Sequence, residues 1–225
     1  MIEPWQLLFE RAVEIIDSAQ EEISWTMGGG TVLMLRHNHR SSKDIDIFFS
    51  DPKPLGYVNP ALGGVAERMT SEYEVSAGHI KLYFPEGEID FVAAPLLTAP
   101  GAIAGTVLGR AVRLETDLEI VAKKLWHRGH EGKARDLFDL GLLIDNAPDE
   151  LRKASQYLLR NRDAFLRRIS ERREIVKAQF EAIDARSYRP SFEDCFRSAS
   201  SFLNALEEPS PPGSKRRLSA RRAPR

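Results

Sequence analysis

The segment Asp44-Ile45-Asp46-Ile47-Phe48-Phe49 constrains the fold more than any other. It begins as an alternation of acid and apolar residue with period two, the pattern of a strand that has one face in a core. In an extended chain residues i and i+2 point the same way, about 6.6–6.8 Å apart. Ile45 and Ile47 therefore enter the core, and Asp44 and Asp46 stand side by side on the opposite face. Like charges so placed repel. A hard divalent cation relieves the repulsion, and carboxylate pairs of this kind hold metals about 3.5–4 Å apart in two-metal sites. A solvated strand face is the plain alternative.

Ahead of this strand, Gly28-Gly29-Gly30 follows the short apolar stretch "ISWTM". Glycines let the backbone turn sharply and present bare amide N–H groups. If Thr31 then opens a helix, its unsatisfied N–H groups and macrodipole attract an anion, which makes the turn a natural phosphate seat. A side chain at Gly29 or Gly30 would obstruct a triphosphate there. Alone, such a triplet serves equally as a structural turn. A third acid, Asp90, lies between Ile89 and Phe91 in "EIDFVAA". An acid inside an apolar strand is costly unless it faces a site or a partner, and with Asp44 and Asp46 it completes a carboxylate triad. At a reference pKa of about 3.9 all three are expected to be ionised at neutral pH.

The pattern changes character once. Before Thr116, a first helix carries Trp5, Leu8, Phe9, Ala12, Val13 and Ile16 on one face. "ISWTM", "IDIFF", "HIKLYF", "IDFVAA" and "AVRLE" read as strands, with Pro85-Glu86-Gly87-Glu88 closing a hairpin, and "NPALGGVAERMTS" as a loop and short helix. Beyond it the period is helical, with Thr116 as N-cap and Glu119 as its capping-box partner. Helices are expected at 117–128, 133–145, 149–161, 163–183 and 191–206. The fold class is α+β: a small mixed β-sheet with flanking helices over 1–116, then a helical region over 117–206. Residues 207–225 are expected to be a disordered basic tail.

The 225 residues are 42% hydrophobic and 29% charged, a globular composition able to bury a substantial core. No apolar stretch approaches the ~20 residues of a membrane span. Glu3, Glu10 and Arg11 interrupt any signal-peptide core, and the single Cys195 excludes an internal disulfide and fits a reducing cytoplasm. Net charge is −1, yet six basic residues and no acid lie between Ser210 and Arg225, leaving 26 basic against 33 acidic residues elsewhere. That end is either an electrostatic foot for RNA or a solvated extension. "RNRDAFLRRISERREIVK" reads as a solvated helix face whose arginines could also track an RNA backbone. His37 and His39 fall near the proposed phosphates, within reach of nucleotide or acceptor. His127 and His130 lack a Cys/His set at zinc spacing and read as surface or supporting residues.

The block "GGGTVLMLRHNHRSSKDIDIFF" resembles the signature of the polymerase-β-like nucleotidyltransferase superfamily, a glycine turn, a short helix and Asp-x-Asp on a strand, with thirteen residues between Gly30 and Asp44. Within it, "HRSSKDIDIFF" and "EIVAKKLWHRGHEGKARDLFDL" are similar to motifs of the AbiEii/AbiGii-type enzymes, toxins of toxin–antitoxin and abortive-infection systems. The resemblance covers residues 24–144. It implies that Gly28, Gly29, Gly30 and Thr31 hold a nucleoside triphosphate, that Asp44, Asp46 and Asp90 bind two Mg²⁺, and that Asp90 accepts the acceptor's proton. Lys124, with Lys123 as its competitor, and Arg135 would lie toward the phosphates. Asp136 would face the site and Asp139 would be partly structural; intrahelical ion pairs are the plain reading of "RDLFDL". The implied reaction is transfer of a nucleoside monophosphate from an NTP to a hydroxyl with loss of pyrophosphate, the acceptor being an RNA, most naturally a tRNA 3′ end. A protein or small-molecule acceptor, and a non-catalytic nucleotide- or partner-binding protein, are the alternatives. A cognate antitoxin is the implied partner.

Overall fold

The computed structural model describes residues 2–207, so the basic stretch from Ser210 onward lies outside the described residues. Its frame is a seven-stranded mixed sheet. The strands are β1 (Trp25–Gly28), β2 (Ile45–Phe49), β3 (Tyr73–Ser76), β4 (His79–Phe84), β5 (Gly87–Ala93), β6 (Ala102–Val107) and β7 (Arg110–Glu115), in spatial order β3-β4-β5-β2-β1-β7-β6. β2 runs antiparallel to β1 and parallel to β5, and β1 runs parallel to β7. The alternation in β2 is realised as read: Ile45, Ile47 and Phe49 are fully buried while Asp46 turns to the other face. Phe91 of β5 lies opposite Ile47 and stacks on Phe49 with ring centroids 6.0 Å apart.

The core face is covered by α1 (Pro4–Asp17), which buries Trp5, Leu8, Phe9, Ala12, Ile15 and Ile16. Its first turn is fixed by Gln6, whose Oε1 accepts the Glu3 backbone N–H at 2.7 Å. Directly after β1, α2 (Gly29–His37) ends at Asn38, a left-handed residue whose N–H returns to the Met34 carbonyl. Short helices α3 (Leu55–Val58) and α4 (Val65–Met69) fill the β2–β3 connection. Then come α5 (Asp117–Arg128), α6 (Ala134–Asn146), α7 (Pro148–Arg152), α8 (Ser155–Leu159), α9 (Arg162–Glu171), α10 (Arg173–Glu181) and α11 (Phe192–Asn204). The helical half folds back on the first: Arg40 bridges Ala185, and the Arg186 and Ser187 N–H groups donate to the His39 and Asn38 carbonyls. No helix among the described residues is long and apolar enough to cross a membrane.

Several expected elements differ. Strands β3 and β6 lie outside the sequence expectation because their residues are mostly exposed, and the alternation of Tyr73-Glu74-Val75-Ser76 in β3 lasts only four residues. The expected helix at 149–161 is two, since a turn at Lys153 and Ala154 keeps Leu151, Ala154 and Leu158 all buried. That at 163–183 breaks at Arg172, which lets α9 pack on the 3₁₀ turn Gly129–Glu131 and α10 on α6. Thr116 caps α5 through a bond from the Glu119 N–H at 3.2 Å, but Glu119 does not return it. Its carboxylate is buried and instead accepts the Leu97 and Thr98 N–H groups at 2.8 and 2.7 Å. The hairpin turn is tighter than expected, with Phe84 opposite Gly87 and only Pro85 and Glu86 between them.

Phe91 fills the core directly behind the acidic face. Phe91→Ala is expected to lower unfolding free energy by about 3–5 kcal/mol, read from chemical denaturation at constant m-value.

Candidate active site

A cavity of about 910 Å³ opens on the polar face of β2 and β5 and is closed on its other side by α5, α6 and the 182–186 segment. Asp44, Asp46, Asp90, Lys124, Arg135, Asp136 and Gly30 all line it. The sheet register explains the acids: Asp46 is paired directly with Asp90 across the parallel β2–β5 ladder, and with Gly28 across β1. Both side chains of that acid pair therefore share a face at neighbouring-strand distance.

The glycine turn is shaped by the same carboxylate. Gly29 has φ +71°, and a Cβ there would stand 1.8 Å from Asp46 Oδ2. A Cβ on Gly30 would stand 2.6 Å from Arg40 Nη2. The first thing a side chain would strike is thus the protein's own acid and guanidinium, which pack on the turn. Thr31 does not reach the cavity; its hydroxyl is fully buried, donating to the Asp44 carbonyl at 2.5 Å and lying 3.0 Å from Ser42 Oγ. It ties α2 to the start of β2.

Each carboxylate has a distinct setting. Asp44 Oδ1 accepts the Glu88 N–H at 3.2 Å, and Arg135 Nη1 lies 3.8 Å from its Oδ2. Asp90 is hydrogen-bonded to His79 Nε2 and lies 3.5 Å from Lys81 Nζ. Burial, followed by the Asp90 charge, raises Asp46 to about 6, against the opposing pull of Arg128 and Lys124. Asp46 thus departs from the ordinary carboxylate value expected of all three acids: burial first, and the neighbouring Asp90 charge second, shift it toward neutral pH.

On the α5 and α6 side of the cavity lies a charge network, most of it buried. Arg128 holds Asp136 in a fork, Nε to Oδ2 at 3.0 Å and Nη2 to Oδ1 at 2.7 Å. Arg40 holds Asp139 likewise at 2.7 and 2.8 Å, with His39 Nε2 at 2.9 Å. Lys124 bonds to Asp139 and lies 3.6 Å from Asp136. Burial pushes both acids up, but the cations outweigh it: Arg128 and Lys124 hold Asp136 below the usual range, and Arg40 and Lys124 hold Asp139 well below it.

Lys123 turns away from the cavity, to Glu115 Oε1 at 2.5 Å and over the Phe48 ring at 4.0 Å. His39 is fully buried on Asp139, and His37 is bonded to Asp117 at 2.6 Å, so the structure does not bring either histidine to a nucleotide. The "RDLFDL" acids pair with α5 and the 39–40 loop, not within their own helix. The sequence reading passed over His79, Lys81 and Arg128. Lys81 stands opposite Asp90 only because the hairpin closes over Pro85 and Glu86; the four-residue turn expected from sequence would have put Tyr83 there. Arg128, one helical turn from Lys124, was within reach of spacing alone.

Among the described residues no group of three or more His, Cys, Asp or Glu side chains already converges as a metal cage; Asp90 is engaged by His79 and Lys81. The donor set nonetheless fits a hard cation. It consists of carboxylate oxygens on one face, and the burial and Asp90 charge that raise Asp46 are both costs of its ionised form that a divalent ion relieves.

A family model described as "Nucleotidyl transferase AbiEii toxin, Type IV TA system" matches residues 11–208. The chain belongs to the AbiEii nucleotidyltransferase toxin family. It is accordingly a nucleotidyltransferase, of a toxin family from toxin–antitoxin systems. No curated protein matches it. Among solved structures, the nucleotidyltransferase toxin MenT4 from Mycobacterium tuberculosis H37Rv is 15% identical with a TM-score of 0.52, over 90% of this chain and 84% of that one. JHP933 from Helicobacter pylori is 15% identical with a TM-score of 0.47, over 92% and 93%. MenT4 bears on the fold alone, and JHP933 carries no further argument.

Two outcomes follow from the charges. Asp46 is more acidic unfolded than folded, so its ionisation opposes folding as pH rises from about 4 through about 6. Asp46→Asn should therefore melt higher than the parent near pH 8 in chelator, by on the order of 2 kcal/mol, with the gap closing near pH 4. Asp139→Ala leaves Arg40 and Lys124 buried without their shared partner and should cost about 3–5 kcal/mol in denaturant unfolding.

Proposed function

We propose that this AbiEii enzyme transfers a nucleoside monophosphate from a nucleoside triphosphate to an RNA hydroxyl, at a tRNA 3′ end, with Mg²⁺ as cofactor. The observation that carries the reading is the in-register pairing of Asp46 with Asp90, beside Asp44 and against the glycine turn. Asp44, Asp46 and Asp90 would hold two cations. Bound there, the ions would supply charge stabilisation for the attacking and leaving oxygens.

The acceptor oxygen attacks the α-phosphorus as the bond to the β-phosphate bridging oxygen breaks, and pyrophosphate leaves with the electron pair. We assign the acceptor's proton to Asp90, an assignment supported by the His79 and Lys81 contacts that hold this carboxylate at the cavity wall. Gly30 and the N-terminus of α2 would receive phosphate oxygens through backbone N–H groups. Lys124 and Arg128, held in place by Asp136 and Asp139, supply a fixed positive field along the opposite wall. Arg135 is the adaptable cation: its side chain is 66% exposed, and it can exchange Asp44 for a phosphate. The toxin role follows from the family, and a cognate antitoxin is the partner it implies.

The test incubates the protein with Mg²⁺, each labelled nucleoside triphosphate in turn and total RNA, beside Asp46→Ala. Label is expected in a tRNA-sized band with the parent only, and Mg²⁺ with the accepted nucleotide is expected to raise the parent's melting temperature. Label appearing in protein or in a small molecule would overturn RNA as acceptor. An unchanged melt at saturating nucleotide would overturn the site.

A further inference from the structure

Beside the cavity runs a second hollow, of about 400 Å³, between the 3₁₀ turn Gly129–Glu131 and helices α9 and α10. Lys133 and Gln179 line both spaces, so the hollow continues the cavity outward. Its remaining charged lining is Arg168, Arg172 and Glu131, and Glu131 is neutralised by Lys133 at 2.6 Å.

The two arginines differ from their neighbours. On α9 and α10 and at the break between them, Arg162 pairs with Asp163 at 2.9 Å, Arg167 with Glu171 at 3.9 Å, and Arg173 with Glu193. Among the described residues Arg168 and Arg172 have no acid within ion-pair distance, and both are exposed. Close packing of the turn on α9 sets their place: a Cβ on Gly132, which has φ +62°, would stand 2.8 Å from Arg168 Cγ. Next to them Ile175 is 51% exposed, an apolar surface at the edge of a basic groove. Guanidinium groups for phosphates and an apolar face for bases are the two elements that single-stranded nucleic acid needs.

We propose that this groove holds the sugar–phosphate backbone of a single-stranded RNA end as it leaves the cavity, with Arg168 and Arg172 on phosphates and Ile175 under a base. The inference rests on RNA as the acceptor and adds the path by which it reaches the acids. It also distinguishes two faces of one arginine-rich stretch, a paired, solvated one and an unpaired one that binds.

The experiment measures binding of a short fluorescent single-stranded RNA of random sequence by anisotropy over a salt series. It compares the full chain, R168E/R172E, and R162E/R167E as a control with the same charge change outside the groove. R168E/R172E is expected to bind at least tenfold more weakly, with the slope of log K against log salt smaller in magnitude by about 1.4 for two lost phosphate contacts. The control should change little, and the melting shift with Mg²⁺ and nucleotide should be the same in all three. Equal binding by parent and R168E/R172E, or equal loss in the control, overturns the groove and leaves the enzyme reading intact. No RNA binding by the parent overturns the groove and RNA as acceptor together, while an intact nucleotide-dependent melting shift would still leave the nucleotide site standing.

Discussion

The Asp139 carboxylate is the point on which the two halves of the molecule depend. It is fully buried, and it gathers Arg40 and His39 from the loop before β2 and Lys124 from α5. A buried charge is tolerable only when paired and hydrogen-bonded, so its three partners must arrive from 15 to 100 residues away in sequence. Once they do, the loop leading to Asp44 is fixed against α6, and Lys124 stands on the cavity wall. Asp136, one turn earlier on α6, repeats the arrangement with Arg128 at the cavity wall itself.

The cavity is an electrostatic balance. One wall carries three neighbouring acids, and burial together with the Asp90 charge brings Asp46 to about 6. The other carries Lys124 and Arg128, positioned by Asp139 and Asp136. The proposed substrate would add a cation for the acids and an anion for the lysine and arginines. A metal–nucleotide complex is a ligand of that kind. Catalysis by such a site is chiefly positioning and preset charge, which is why so much of the buried polar content of the fold is spent here.

Legibility from sequence varied with the range of the cause. β2 and α5 were read well because their determinants are local: alternation about Ile45 and Ile47, and Thr116 ahead of a helical period. β3 and β6 escaped because an exposed strand is defined by its partner's hydrogen bonds, not by its own pattern. Glu119 was read as the second half of a cap, yet its carboxylate serves the Leu97–Thr98 loop, a contact that exists only once the sheet has brought that loop over α5. Thr31 and His39 looked available to a ligand because nothing near them in sequence consumes them; the fold buries both.

The sequence alone determined the polar and apolar faces of the central strand, the glycine turn before it, and the lysine and acids of α5 and α6, since each depends on spacing within a single element. Tertiary structure decided which acid stands beside which, that Lys124 and not Lys123 lines the cavity, and that Arg40 and Arg128 hold the charges behind it. The physical reason is that register between β2 and β5, and the packing of α6 on the 39–40 loop, are set by core burial shared across the whole chain. Electrostatic partnership within a few ångströms inherits its geometry from that packing, not from neighbours along the backbone.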